Sequence, residues 1–268
     1  MTAELLASHA DAEVYHASWV DLLDVVRARG GCDSIITDTP YSAETHAGHG
    51  TMERWGTSTP PAYDGAERRE INYAEWTDVD VEEFVGAWAP LVRGWFISVT
   101  DDNLAPTWKR ALRAAGRHVF PLIPCTERGA TVRMANDGPP SCTTFAVVAR
   151  PRAAEMLRWG VTESHYVGPR EKKPVIGGKP MWLARAFVRD YTRPGDLVVD
   201  PCCGGGTFGA AAVERGRRTI AGDAMRAHAS IAAARIVDVA SRPRLFAPGD
   251  AAAHTGKRKT LALFGSDS

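Results

Sequence analysis

The sequence predicts an α/β fold, a doubly wound and mostly parallel sheet of the seven-stranded, Rossmann-like type. Three observations support this prediction. Short apolar strands alternate with amphipathic helices along most of the 268 residues. The segment LVVD at 197–200 is typical of a short strand buried on both faces. A glycine-rich turn follows it directly and leads into a helix, which is how ligand-binding strand–helix turns are built.

The elements are predicted from hydrophobic period and from start and stop residues, in chain order. In the first half we expect a strand and then a helix within 12–26, a strand at 32–39, a helix at 79–92, a strand at 94–100 and a helix at 103–116. In the second half we expect strands at 117–124 and 141–151, a helix at 179–192, a strand at 197–200, a helix at 207–216, a strand at 218–223 and a helix at 224–240.

These elements form a single predicted domain over residues 1–240. The segment 42–76 is rich in Gly, Thr, Pro, His and Glu and lacks a sustained period, so we expect a mobile loop. Two further loops, 125–141 and 151–178, contain several basic residues. From residue 241 to 268 the chain is Pro, Ala, Gly and charge, which predicts a disordered tail.

Composition narrows the class of protein. Hydrophobic residues make up 44% and charged residues 24%, as in ordinary globular domains. The five cysteines are odd in number and include no CxxC pair, which favours a reducing compartment over a disulfide framework. His46 and His49 form an HxxH pair without an evident third ligand, so we expect no metal. We see no signal peptide or membrane span and expect a cytoplasmic protein of a bacterium or phage.

Charge is unevenly distributed although the formal net charge is zero. Residues 1–104 contain 6 basic and 19 acidic side chains, whereas residues 105–185 contain 14 and 5. A basic middle third could form a surface that faces a polyanion, but the charge distribution by itself favours Arg-rich helices whose outer faces are solvated.

The glycine-rich unit DPCCGGGT at 200–207 predicts a nucleoside site. Asp200 ends the strand, three glycines follow, and Thr207 begins a helix whose amide end attracts negative charge. Asp223 ends the next strand, where a carboxylate commonly binds a ribose. Gly204, Gly206 and Gly209 also fit the dinucleotide pattern GxGxxG, but too little chain follows for a second nucleotide half. S-adenosylmethionine, with Asp200 available for its ammonium group, is therefore the favoured ligand.

Several motifs together resemble those of amino-group DNA methyltransferases. DPCCGGGT is similar to their DPFCGSGT, and TDTPY at 37–41 is similar to their TDPPY. The segment GGKPMWLARAFVRDYTRPGD at 177–196 is similar to the stretch that precedes their glycine turn. The catalytic motif comes before the cofactor motif, the circularly permuted order of the β group. The resemblance spans about residues 13–230 and implies a methyltransferase fold that uses S-adenosylmethionine.

The sequence departs from the family pattern at four places. Cys202 replaces a Phe, Thr39 replaces the first Pro of the catalytic motif, and Asp223 replaces the commoner Glu. Ala17 and Ser18 stand where a Gly-Asp pair is expected. None of these changes removes a group that the chemistry requires.

The resemblance assigns catalysis to the stretch IITDTPYS at 35–42. The amine of a base is a poor nucleophile, and acceptors aimed at its N–H bonds help its nitrogen become tetrahedral. Asp38 supplies one acceptor and the carbonyl of Thr39 or Pro40 the other, with Pro40 fixing the turn. Tyr41 stacks on the base, which must be flipped out of the duplex to reach this site.

The implied site residues fall into two further groups. The cofactor group consists of Asp200, Pro201, Cys203, Gly204, Gly206, Thr207, Asp223 and Lys179. For Cys203 tight packing alone is the favoured role, and for Lys179 a structural role and a contact to cofactor or phosphate stay open. The DNA group consists of Arg128, Arg133, Arg152, Arg170, Lys172 and Lys173.

The predicted partner is double-stranded DNA, with adenine N6 as the favoured target because the motif begins with Asp38. Cytosine N4, an amine of RNA or protein, and a non-catalytic DNA-binding relative remain alternatives. The 28 residues of the 151–178 loop are too few for a large recognition domain, so recognition falls to loops or to a second subunit of a homodimer. TLALFG at 260–265 resembles the peptide by which bacterial proteins bind the replication sliding clamp. A role in restriction–modification is compatible with all of this.

Overall fold

The computed structural model describes residues 2–45, 74–129, 141–153 and 159–242. Ten strands are present in these ranges: β1 (Glu4–His9), β2 (Ala12–His16), β3 (Ser34–Asp38), β4 (Phe96–Thr100), β5 (His118–Val119), β6 (Ile123–Arg128), β7 (Thr143–Arg150), β8 (Tyr166–Pro169), β9 (Leu197–Asp200) and β10 (Arg218–Asp223). The α-helices there are α1 (Trp19–Ala28), α2 (Asp78–Trp88), α3 (Ala105–Ala114), α4 (Met181–Tyr191), α5 (Thr207–Glu214) and α6 (Arg226–Ser241).

The strands form one sheet in the order β1-β2-β10-β9-β3-β4-β7-β6-β8, and β5 pairs with the end of β7. Neighbours from β2 to β4 are parallel, as are β6 and β8, whereas β1 and β7 run antiparallel to their partners. The carboxyl ends of β3, β9, β10, β6 and β8 therefore meet at one edge of the sheet, together with the beginning of β7. The predicted doubly wound, mostly parallel sheet is confirmed.

Helices cover both faces of the sheet. Residues of α1, α2 and α3 pack on one face with Ile35, Phe96 and Val199. Residues of α4 and α5 pack on the other face with Ile36 and Ile97, their neighbours along the strands. This alternation follows the two-residue period of a strand and explains why these strands are apolar without interruption. A third cluster joins α5, α6 and β2.

Local signals set the helix limits. Ser18 accepts a hydrogen bond from the backbone of Asp21 and caps α1, in the place where the family pattern predicts an acid. Thr77 and Asp80 form a capping box at the start of α2. Gly116, two residues beyond α3, has a φ of 78°, which favours glycine and stops the helix as predicted.

The structure corrects the predicted elements in three places. The sheet has ten strands in the described ranges rather than seven, because β1 and β8 were not predicted and one predicted strand is divided in two. The predicted strand 117–124 is divided into the short β5 and the later β6, with Pro121 between them. The helix predicted over 79–92 ends at Trp88 and continues as a 3-10 turn, Ala89–Leu91.

Some predicted features lie outside the described residues. These are 46–73 of the predicted loop 42–76, with His46 and His49; 130–140 and 154–158 of the basic loops, with Arg133; and 243–268 of the tail, with the clamp-like TLALFG segment. Within the described part of the chain, no helix is both long and apolar enough to cross a membrane.

Candidate active site

One cavity of about 1030 Å³ lies at the edge where the parallel strands end. One side of it is lined by the catalytic turn, Asp38 to Tyr41, and by the first residues of β7. The other side is lined by the glycine turn after β9 and by Asp223 at the end of β10. The fold thus brings together two motifs that are far apart in the sequence. The two motifs lie close together because the strands that they follow, β3 and β9, are neighbours in the sheet.

The Asp38 carboxylate has a donor on each oxygen. The Tyr41 hydroxyl donates to Oδ1 at 3.1 Å, and the ammonium of Lys179 donates to Oδ2 at 2.6 Å. The same ammonium lies 5.0 Å from the centre of the Tyr41 ring. Sequence reasoning placed Lys179 with the cofactor, whereas its ammonium contacts two side chains of the catalytic turn.

Asp101, at the end of β4, anchors the segment after the catalytic turn. Its Oδ2 accepts from the backbone of Ser42 at 2.9 Å and from the hydroxyls of Ser42 and Thr45 at 2.6 Å each. Its Oδ1 accepts from the backbone of Leu104 at 2.9 Å. Although burial opposes ionisation, these hydrogen bonds hold the pKa of Asp101 below its ordinary value. Sequence analysis missed this residue, although an acid ending a strand is the signal it shares with Asp38 and Asp200.

Thr39 fits its position through its hydroxyl, which lies 3.2 Å from the hydroxyl of Ser98 on β4. Both groups are buried. The replacement of a family proline at this position is therefore compensated by a hydrogen bond between neighbouring strands.

The glycine turn is shaped by its packing. Gly206 has a φ of 72°, and a Cβ there would lie 2.9 Å from the Cα of Ala232 on α6. A Cβ on Gly205 would lie 2.6 Å from the ring of Pro174, in the segment before α4 that covers the turn. Sequence reasoning explained these glycines by the close approach of a ligand. The structure gives a second reason, which is the close approach of α6 and of Pro174.

Asp223 organises the cofactor side of the cavity. Its Oδ2 accepts from the backbone of Gly204 at 2.9 Å and its Oδ1 from the backbone of Met225 at 2.9 Å. A ring nitrogen of His228 lies 3.7 Å from Oδ1, and this contact raises the pKa of His228. The carboxylate thus connects the glycine turn to the start of α6.

Asp200 is fully buried and is not among the residues that line the cavity. Its Oδ1 accepts a long hydrogen bond, 3.4 Å, from the backbone of Cys202, and no described residue forms a hydrogen bond with its Oδ2. Burial raises the pKa of Asp200 to about 8, and the carboxylates of Asp38 and Asp223 add to the rise, which the hydroxyl of Thr37 opposes. The expectation that this carboxylate faces the crevice does not hold in the structure, where the cavity wall covers it.

Comparison with known proteins finds a match for the part of the chain that contains the glycine turn. The family model described as DNA methylase, of the N6/N4 type, matches residues 154–234. The matched range contains the glycine turn, Asp223 and Lys179. No curated protein sequence matches the chain.

Several solved structures share the fold of this chain. The M1.HpyAVI–SAM complex is 19% identical over 84% of this chain and 99% of that chain, with a TM-score of 0.62. TTHA0409 of Thermus thermophilus, complexed with S-adenosyl-L-methionine, is 16% identical over 82% of this chain and 91% of that chain, with a TM-score of 0.55. PvuII DNA methyltransferase, which is cytosine-N4-specific, is 12% identical over 91% of both chains, with a TM-score of 0.57. At these identities the likeness concerns the fold.

Three of the basic residues expected to contact DNA line the cavity: Arg170, Lys172 and Lys173. Arg128 lies beside them, because its carbonyl accepts a hydrogen bond from the backbone of Arg170 at 3.1 Å. The side chain of Arg128 is exposed. Arg152 lies at the opposite edge of the sheet, since β7 runs antiparallel and ends away from the cavity. The structure therefore separates Arg152 from the group in which the sequence placed it.

The remaining predicted site residues divide between lining and packing. Pro201, Cys203 and Thr207 line the cavity, and Cys203 also packs in the cluster that joins α5, α6 and β2. Trp76 is buried against Phe84 and is an anchor of the polypeptide after residue 73. Within the described ranges, no three His, Cys, Asp or Glu side chains are grouped so that they could hold a metal ion.

Proposed function

We propose that this DNA methylase transfers the methyl group of S-adenosylmethionine to the exocyclic amine of a flipped base in duplex DNA, with adenine N6 as the target. The observation that carries the proposal is that Asp38, Tyr41 and the glycine turn line one cavity. An acceptor for an amine, an aromatic platform for a base and a nucleoside-binding turn are thereby within reach of a single bound substrate.

The glycine-turn side of the cavity fits the proposed cofactor. Asp223 lines the cavity at the place where a ribose-binding carboxylate is expected, and Thr207 begins α5 beside it. Buried Asp200, with Oδ2 free of hydrogen bonds in the described residues, is a carboxyl group that a nearby cation would ionise. When bound, S-adenosylmethionine supplies the methyl sulfonium that the amine attacks. The two solved complexes with this cofactor support the assignment.

The catalytic turn supplies what an amine needs in order to react. Asp38 accepts one N–H of the amine, and a backbone carbonyl at Thr39 or Pro40 accepts the other. Both acceptors are preorganised, because Asp101 and Ser98 hold the turn from the neighbouring strand. The Tyr41 ring provides the stacking surface that offsets part of the cost of flipping the base. No covalent intermediate with the protein is required.

The rim of the cavity supports DNA as the substrate. Arg170 and Lys172 are exposed at the mouth, with Arg128 beside them. Cations in this position would contact phosphates on both sides of the flipped nucleotide and so orient the duplex. Adenine is favoured over cytosine by Asp38 at the start of the motif. The family includes both N6 and N4 enzymes, which makes cytosine N4 the second candidate.

The test is methyl transfer from labelled S-adenosylmethionine to unmethylated duplex DNA, followed by mass spectrometry of the nucleosides. We expect N6-methyladenine with the wild-type protein and a loss of at least about a hundredfold with Asp38→Ala. N4-methylcytosine would preserve the mechanism and change the target base. No methylated base in a protein that still binds the cofactor would contradict the proposal and favour another amine substrate or a non-catalytic role.

A further inference from the structure

Lys179 is the cation that the fold brings to the catalytic carboxylate. Its side chain is 8% exposed, and besides Asp38 its ammonium donates to the carbonyl of Gly177 at 2.9 Å. Because Tyr41 donates to the other oxygen of Asp38, the carboxylate is held from two sides. Each carboxylate oxygen has a further lone pair, so a carboxylate held in this way still accepts an N–H from an amine.

The backbone around Lys179 fixes where its ammonium reaches. Gly177 has a φ of 73°, and Pro180, directly after the lysine, occupies the N-cap position of α4. The preceding Pro174 and Val175 lie against the glycine turn. The lysine is thus anchored between α4 and the segment that covers the glycine turn. It lies 141 residues from Asp38 in the sequence.

The charges around Asp38 explain why a cation is needed there. Asp38, Asp200 and Asp223 end three strands of the same sheet edge, and the charge of Asp38 already contributes to the raised pKa of Asp200. The ammonium of Lys179, 2.6 Å from Asp38, places a positive charge beside the one carboxylate of the three that must accept an amine.

We infer that Lys179 is a positioning residue of the methyl-transfer site: its ammonium holds the Asp38 carboxylate in place and aimed at the amine, rather than binding the cofactor. This inference rests on the proposed function. It differs from the expectation drawn from the sequence, in which Lys179 was grouped with the cofactor residues.

The kinetic test uses the wild-type protein and Lys179→Met, a side chain of similar length without charge. We expect kcat to fall about thirtyfold or more, while KM for S-adenosylmethionine and KM for the duplex stay within about threefold. Lys179→Arg should recover part of kcat, and ethylammonium or propylammonium ions should partly restore Lys179→Ala. Lys109→Met, which removes a half-buried lysine on α3 away from the cavity, is the matched control.

The kinetic outcomes separate the possible roles of the lysine. A rise in KM for S-adenosylmethionine at constant kcat would overturn the inference in favour of cofactor binding. A lower KM for the duplex at undiminished kcat would also overturn it, because the lysine would then obstruct the amine. A fall in kcat that neither Arg nor added ammonium ions restore would show a structural role only.

A double-mutant cycle on unfolding tests the contact without using activity. We expect Asp38→Asn and Lys179→Met to be coupled, so that the double variant loses less thermal stability than the two single losses together. Additive losses would overturn the inference. If wild-type protein failed to methylate any duplex, the proposed function would fail while this cycle would still report whether Lys179 restrains Asp38.

Discussion

Asp101 and Asp200 are both buried aspartates at the ends of strands in the same sheet, yet their protonation is shifted in opposite directions. Asp101 has four hydrogen-bond donors, and its pKa is below the ordinary value. Asp200 has one long hydrogen bond from the backbone of a described residue, and burial raises its pKa to about 8. Burial alone therefore does not determine the charge of a carboxyl group, because the number of donors decides which form is stabilised.

The catalytic turn and the glycine turn are also stabilised in different ways. Asp101 holds the catalytic turn through side-chain hydrogen bonds, so that turn depends on polar contacts. The glycine turn after Asp200 depends on shape, because Pro174 and α6 approach its backbone closely. Substitutions that remove polarity should thus damage the first turn most, and substitutions that add volume should damage the second.

The largest effect on stability is expected at Asp101. Asp101→Ala leaves two buried backbone N–H groups and two hydroxyls without their acceptor, so we expect a loss of about 4 kcal/mol in the free energy of unfolding. Methyl transfer should fall more than about tenfold, because the catalytic turn loses its anchor. Urea unfolding and single-turnover kinetics measure both effects.

Asp101→Asn is the matched control, since it keeps an acceptor for Leu104 and should lose about half as much. A stability of Asp101→Ala within about 1 kcal/mol of wild type would show that the catalytic turn has other anchors.

The next effect concerns the shape of the glycine turn. In Gly206→Ala the new Cβ would meet the backbone of Ala232 at 2.9 Å, at a φ of 72°. We expect a loss of about 3 kcal/mol from this collision and from backbone strain. Gly216→Ala is the control, because its φ is 74° with open space around the Cβ, and it should cost only about 1 kcal/mol. Equal losses in the two variants would rule out the packing argument.

The smallest effect, and the most specific, is the pH dependence at Asp200. Because its folded-state pKa is raised, the folded protein binds more protons than the unfolded chain between about pH 4 and 8, and the stability of the wild type falls as pH rises through this range. Asp200→Asn removes this dependence. We expect the variant to gain about 2 kcal/mol relative to wild type between about pH 6 and pH 8, measured by urea unfolding.

For Asp101→Asn, the difference in stability from wild type should change with pH in the opposite direction to that of Asp200→Asn. The lowered pKa of Asp101 stabilises the folded wild type above the ordinary aspartate value, and this advantage is lost as pH falls below about 4. Parallel pH profiles for the two variants would contradict the comparison between the two carboxyl groups.

Much of the fold followed from the sequence because its signals are local. Period-two and helical patterns, together with stop residues such as Gly116, located most strands and helices. β1 and β8 were missed because short strands with exposed residues have no clear period, and they become strands by pairing with β2 and β6. The position of Arg152 away from the cavity could not be predicted, because the residues of β7 do not reveal the direction in which this strand runs in the sheet. Its role as a DNA contact stays a prediction.

What the sequence by itself determined is the chemistry available to this protein. An acid, a rigid turn and an aromatic ring at 38–41, and a glycine turn between acids at 200 and 223, are properties of contiguous residues that can be recognised without knowledge of the fold. Only the tertiary structure decided that Lys179 pairs with Asp38, that Asp101 anchors the catalytic turn and that Asp200 is buried behind the cavity wall. These contacts join residues far apart in the chain, and they form because parallel strands bring their carboxyl ends to one edge of the sheet.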